Sequence, residues 1–277
     1  MMQTIRTADV EWSYRRTGRD DAPTIVLLHG FTGCAEVWQD IADALSETHH
    51  CVIPDLPGHG NTVGPTAPEE CTLDRAAGRL SQFCDELGLR GVAVWGYSMG
   101  GRLALQWALL DPGRISALIL ESASPGIAEP GEREARRLAD NQLADRIASI
   151  GVAAFAEEWM ANPLFASQKE LPEERRHLGR RLREKNTAAG LALSLRGMGT
   201  GVQTPLHDRL PHLSMPVLVL AGARDAKFCG IGDAMSGVIP RASFRIVSGA
   251  GHAVSWERPQ TCVDIVRSFL ERIEPPK

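Results

Sequence analysis

Six short apolar runs, each closed by a Gly, Pro or Asp turn, constrain the fold of this chain more than any other feature. They are TIVLLHG (24–30), CVIPDLPG (51–58), VAVWGYS (92–98), ALILESASPG (117–126), PVLVLAG (216–222) and FRIVSG (244–249), separated by stretches of helical periodicity. Runs this uniformly apolar need cover on both faces, which a parallel strand flanked by helices provides. The alternation predicts an α/β chain with a mostly parallel, doubly wound sheet and helices near 36–46, 73–87, 100–110 and 260–272. Between about residues 127 and 209 the rhythm breaks; the composition turns helical and arginine-rich before PVLVLAG restores it. At 277 residues and 43% hydrophobic composition, the chain can bury one sizeable core. The expected organisation is a core of 1–126 and 210–277 with a helical cap, 127–209, inserted over it.

In open α/β sheets ligands sit beyond the carboxyl ends of the strands, so chemistry is expected in the turns after the apolar runs. Gly96-Tyr97-Ser98-Met99-Gly100 follows VAVW and opens the helical stretch GGRLALQWALL, the strand–turn–helix setting of a nucleophile elbow. Such a turn strains the serine backbone and exposes its hydroxyl at a helix N-terminus, where negative charge is favoured. A serine hydroxyl is nearly inert at its own pKa and needs an oriented base. His252, in the turn after FRIVSG, is the expected base, and Asp225, in the turn after PVLVLAG, the acid that orients it. Glu121 also ends a strand and competes with Asp225 for that role. Asp55 and His59, in DLPGHG, are read as turn-formers, with the pocket border as the alternative for His59. The HGFT turn is the usual source of a second oxyanion amide, so the backbone N–H groups of Phe31 and Met99 are the expected oxyanion donors.

A formal net charge of −4 gives no overall attraction to nucleic acid or to an anionic membrane. Any anion must be recognised locally, by arginines in a pocket. Arg133, Arg136 and Arg137 fall within about a helical turn, Arg176, Arg180 and Arg183 within two, and Arg102 lies one turn after Ser98. Arg175 and Arg181 are read as solvated and balanced by Glu132, Glu134, Glu173 and Glu174; His177, His207 and His212 are also read as solvated, and Trp38 and Trp107 as core. The chain lacks a basic start followed by an apolar run, and no segment stays apolar long enough to span a bilayer. A cytoplasmic protein with a small-molecule ligand and neither nucleic acid nor membrane as partner is expected. The six cysteines lack C-x-x-C or Cys/His ligand spacing, so reduced thiols are expected, with no metal and no cofactor.

HGF, DLPGHG, GYSMGG, GARD and GAGH, in that order, resemble the α/β-hydrolase superfamily over nearly the whole chain. GYSMGGRLAL, ESASPGI, ERxxRRxxD, FxxxWxxxPLFAS, LRxxN, LRGMGTG and RDxKF resemble, more specifically, the family of 2-succinyl-6-hydroxy-2,4-cyclohexadiene-1-carboxylate synthases of menaquinone biosynthesis. The resemblance implies an α/β-hydrolase fold and a carbon–oxygen lyase acting on 2-succinyl-5-enolpyruvyl-6-hydroxy-3-cyclohexene-1-carboxylate, a polycarboxylate from which it expels pyruvate. It implies that Ser98 removes a ring proton, its own proton relayed to His252 with support from Asp225, without an acyl-enzyme. It implies further that Tyr97, Arg102, Arg136, Trp159 and Arg183 hold the substrate. Ser255 departs from the pattern, since the family often carries a second histidine at that place.

The residues alone leave other readings open. An activated serine serves acyl transfer as well as proton abstraction, so a serine-triad hydrolase, an esterase or a carbon–carbon bond hydrolase of a small carboxylated substrate, fits the same residues. A non-catalytic ligand receptor is a third reading, against which the retention of all three triad members argues.

Overall fold

The computed structural model describes residues 1–273. Its strands are β1 (Met2–Arg6), β2 (Glu11–Thr17), β3 (Thr24–Leu28), β4 (His50–Pro54), β5 (Val92–Tyr97), β6 (Ile115–Glu121), β7 (Val217–Gly222) and β8 (Ala242–Val247). The helices are α1 (Gln39–Leu45), α2 (Leu73–Glu86), α3 (Met99–Leu110), α4 (Pro130–Met160), α5 (Glu173–Arg183), α6 (Ala188–Met198), α7 (Ala226–Val238), α8 (Val254–Glu257) and α9 (Pro259–Leu270). One sheet runs β1-β2-β4-β3-β5-β6-β7-β8, antiparallel at β1–β2 and β2–β4 and parallel in every other pairing. The six apolar runs supply β3 to β8.

Both faces of the central strands are dry, which explains why their sequences do not alternate with polar residues. Val26, Leu28, Val94, Leu118 and Val219 pack into one core with α2 and α3; Ile25, Leu27, Trp95, Ile119 and Leu218 pack into the other with α1 and α9. β1 and β2 carry no such run. β1 is one of the two edge strands and, like the outer half of β2, is only partly covered, so MQTIR and EWSYRRT keep polar residues that hide them from a search for apolar runs. Two helical expectations also shift. Residues 35–38 form a 3₁₀ turn before α1, and α7 went unforeseen because three glycines in AKFCGIGDAMSGV interrupt its periodicity.

From β3 the chain winds outward to β4, then returns across β3 to β5. The winding direction therefore reverses between β3 and β5, and a crevice opens beyond their carboxyl ends. Over that end lie α4, α5 and α6, with a 3₁₀ turn at Pro163–Glu170; a further 3₁₀ turn, His207–His212, leads the chain back to β7. Gly151 breaks α4 with φ 80°. These helices bury a cluster of their own, including Ile147, Phe155 and Leu191, against which Phe31 of the β3 turn packs.

Arg175 corrects the sequence expectation of a solvated side chain. Its guanidinium pairs with Asp40 at 2.5 Å, donates to the carbonyl of Trp256 at 3.2 Å and stacks 3.5 Å from the Trp256 ring centre, tying α5 to the sheet domain. Arg175→Ala is expected to cost about 1 kcal/mol, read as a fall of about 2–4 °C in Tm in a thermal melt.

Candidate active site

Backbone crosses closely over backbone where β5 turns into α3. A Cβ at Gly96 would sit 2.3 Å from the carbonyl oxygen of Gly100, and one at Gly100 would sit 2.2 Å from that of Leu28. Only glycine permits this crossing, and it drives Ser98 to φ 51°, ψ −109°. Thr32 (φ 66°) and Ser122 (φ 47°) are the other described non-glycine residues with positive φ, and they follow β3 and β6. The strained positions thus gather at the same end of three neighbouring strands.

His252 Nε2 lies 3.0 Å from Ser98 Oγ, and His252 Nδ1 lies 2.7 Å from Asp225 Oδ2. Asp225 caps α7, its Oδ1 accepting the Phe228 N–H at 3.2 Å, so both oxygens have set directions. A carboxylate at Nδ1 selects the tautomer protonated there and leaves Nε2 free to accept from the serine. The imidazole is buried, with the rings of Phe228 and Tyr97 centred 4.6 and 5.5 Å away. Glu257 holds its loop: one carboxylate oxygen accepts the Gly251 N–H at 2.8 Å and the other the Ala253 N–H at 3.4 Å, on either side of His252.

Glu121 is directed elsewhere. Its oxygens accept from Trp95 Nε1 at 3.0 Å and from the amide and hydroxyl of Ser255 at 2.8 and 3.0 Å. Ser255, the departure from the family pattern, is thus a partner of this buried acid. Burial pushes the Glu121 carboxyl up to about 7, against the pull of the Ser255 and Trp95 hydrogen bonds.

The amides of Phe31 and Met99 have no acceptor among the described residues, and both residues line a cleft of about 170 Å³ that also contains Ser98 and His252. His29 fixes the Phe31 turn, facing the Gly30 carbonyl through Nδ1 and accepting the Leu56 N–H at Nε2. Asn186, from the end of LRxxN, donates to the carbonyls of Thr32 and Arg183 and accepts the Gly60 N–H, joining α5 to the same turn. His59 is buried against Phe31 and lines neither the cleft nor its neighbour; Asp55 accepts the amides of Ala35 and Asn61, a turn role.

Arg102, Arg136 and Trp159 line the cleft with Ser98. Arg102 is buried, donates to the Met198 carbonyl and to Gln203 Oε1, and has no carboxylate partner; burial, with a smaller push from Arg136, lowers its pKa to about 10. Arg136 is half-exposed and pairs with Asp140 at 2.7 Å. Tyr97 and Arg183 instead line a second, smaller chamber beside it. The two arginine sets do not each present a common face to the site. Arg133 caps carbonyls, Arg137 pairs with Glu134, Arg180 pairs with Glu157 and Glu184, and Arg176 is exposed. Trp107 is core, whereas Trp38, also buried, forms part of the second chamber's wall. Sequence reasoning missed Ser122, Ser124, Ser194 and Lys227 in the cleft wall, and Asn186 and Glu257 behind it. ESASPGI, LRxxN and RDxKF contained four of these; Ser194 and Glu257 carried no signal, because their roles depend on neighbours distant in sequence.

The sequence pattern of the alpha/beta hydrolase fold family matches residues 23–259. A Bacillus subtilis (strain 168) protein assigned as a 2-succinyl-6-hydroxy-2,4-cyclohexadiene-1-carboxylate synthase is 39% identical over 95% of this chain and 96% of its own length. The solved structure of MenH from S. aureus has 32% identity and a TM-score of 0.90, covering 95% of this chain and 99% of that one. A thermophilic esterase from Thermogutta terrifontis, solved with malate bound, has 26% identity and a TM-score of 0.86 over 99% of this chain and all of its own.

Glu121 sets a pH dependence. Its ordinary pKa is 4.5 and its folded value about 7, so the folded chain binds more protons between those values, and this group makes stability fall as pH rises through that window. Glu121→Gln is expected to remove about 2–3 kcal/mol of that slope, whatever its overall cost, in urea midpoints compared at pH 5 and pH 8.

Proposed function

This chain belongs to the α/β-hydrolase fold family and, within it, to the 2-succinyl-6-hydroxy-2,4-cyclohexadiene-1-carboxylate synthases, and from that membership we infer that it eliminates pyruvate from 2-succinyl-5-enolpyruvyl-6-hydroxy-3-cyclohexene-1-carboxylate in menaquinone biosynthesis. The observation that carries the reading is a serine within 3.0 Å of an oriented imidazole, opening onto a cleft whose buried Arg102 has no counter-charge of its own. A neutral ester has no use for that guanidinium; a carboxylate does.

In this reading Ser98, His252 and Asp225 form a triad. Ser98 Oγ takes a ring proton while its own proton passes to His252 Nε2, and Asp225 supports the resulting imidazolium. The electron pair of the broken C–H bond forms the ring double bond, the C–O bond to the enolpyruvyl group breaks, and the departing enolate is protonated to pyruvate by the imidazolium. The amides of Phe31 and Met99 stabilise the charge that develops on the substrate. Tyr97, Arg102, Arg136, Trp159 and Arg183 hold the polycarboxylate, and residues 127–209 act as a cap that keeps water out. The chemistry needs no cofactor. Among the described residues no helix is long and apolar enough to cross a membrane.

The same serine geometry serves ester hydrolysis, and the esterase likeness keeps that reading testable. A coupled assay for pyruvate release separates the two: release from the enolpyruvyl substrate is expected, and its absence alongside fast turnover of neutral p-nitrophenyl esters would establish a hydrolase. Ser98→Ala is expected to lower pyruvate release by about 10³-fold or more with Tm nearly unchanged. Arg102→Ala is expected to lower kcat/KM by about 10–100-fold through lost charge-assisted contacts.

A further inference from the structure

The second chamber, of about 50 Å³, lies behind the Phe31 turn, and Phe31 lines both it and the cleft that holds Ser98. Its wall is rich in donors and contains no Asp or Glu. Arg183 is half-buried; one Nη donates to the Gly179 carbonyl at 2.8 Å, its Nε is buried without an acceptor, and no carboxylate lies within ion-pair distance. Trp38 Nε1 and Gln168 Nε2 are also buried without an acceptor. Three side chains from distant parts of the sequence thus bring unanswered N–H groups to one wall. The Tyr97 hydroxyl belongs to the same wall, and burial, then the nearby Glu121, keep it protonated as a further donor. Buried donors are almost always answered, and a guanidinium drawn partly out of water with its Nε buried favours a counter-charge, so the complement of this wall is an anion rich in acceptors.

We propose that this chamber is a carboxylate-arm subsite in which the Trp38 indole N–H and the Gln168 amide bind a carboxylate together with Arg183. The volume admits a carboxylate on a slim methylene arm and excludes a six-membered ring, which stays in the larger cleft beside Ser98. A ligand spanning both spaces passes Phe31, so binding of the arm fixes the ring's position over the serine. The assignment rests on the polycarboxylate reading above and deepens it: Trp38 is a binding residue as well as a core one, and Gln168 sets specificity for a chain-terminal carboxylate.

The test follows the six tryptophan indole N–H signals of ¹⁵N-labelled protein during titration with succinate. The Trp38 signal is identified by its loss in Trp38→Phe. It is expected to move on titration, and its midpoint to rise about tenfold in Gln168→Leu, the equivalent of one lost hydrogen bond to a charged group. KM for the enolpyruvyl substrate is expected to rise by a similar factor in Gln168→Leu with kcat little changed, a split that a purely structural role for Gln168 does not produce. A Trp38 signal that stays still while other indole signals move, or a midpoint indifferent to Gln168→Leu, would overturn the assignment. Loss of the pyruvate-release reading leaves the titration untouched, so the two failures are distinguishable; retained dispersion of the remaining indole signals shows that each variant is folded.

Discussion

Everything in the site hangs on one steric constraint, the crossing of backbone over backbone where β5 enters α3. Gly96 and Gly100 leave no room for a Cβ against the carbonyls of Gly100 and Leu28, so the turn between them closes in one way and carries Ser98 out at positive φ. A strained residue persists only where its surroundings over-determine it. Here the surroundings are β3, which supplies the Leu28 carbonyl, and β6, whose Glu121 carbonyl accepts the Ser98 N–H at 2.8 Å. The sheet thereby fixes the hydroxyl in space before any partner is considered, and β7 and β8 need only bring Asp225 and His252 alongside.

Electrostatics then separates two populations of arginine. Arg137, Arg146 and Arg180 pair with glutamates while remaining substantially exposed, and such pairs contribute little and are screened by salt. Arg102 is buried and Arg183 half-buried; they line the two cavities and have only neutral oxygens of the protein as hydrogen-bond partners. Leaving two guanidinium groups unanswered in a low-dielectric space destabilises the fold unless a ligand offsets it. A chain with net charge −4 therefore concentrates positive potential at one place, which suits a small polyanion and not an extended one.

The helices over the sheet are not an independent lid. Asn186 donates to the carbonyl of Arg183 on one side and to that of Thr32, next to Phe31, on the other, so the arginine of the small chamber and the Phe31 turn share one buried side chain. Glu257 does the corresponding work for His252 by gripping the amides on both sides of it. Binding contacts and reacting groups are thus positioned by hydrogen bonds that cross between segments far apart in the chain, the geometry that lets a bound ligand order the reacting groups around it.

The sequence by itself determined the parallel core, because strands buried on both faces must be apolar throughout, and it determined Ser98, Asp225 and His252 as candidates, because a strand–turn–helix crossing demands glycines at set spacing and the partners follow in order after their own strands. It did not reveal β1 and β2, whose exposure lets polar residues in, or α7, whose glycines blur the period. Only the tertiary structure turned Glu121 away from the imidazole, assigned Arg136 and Arg183 to cavities while dispersing their neighbours, and made Trp38 part of a ligand chamber. The reason is physical: periodicity and turn chemistry are local and written in adjacent residues, whereas the direction of a side chain and the presence of its partner depend on segments that meet only after the chain has folded.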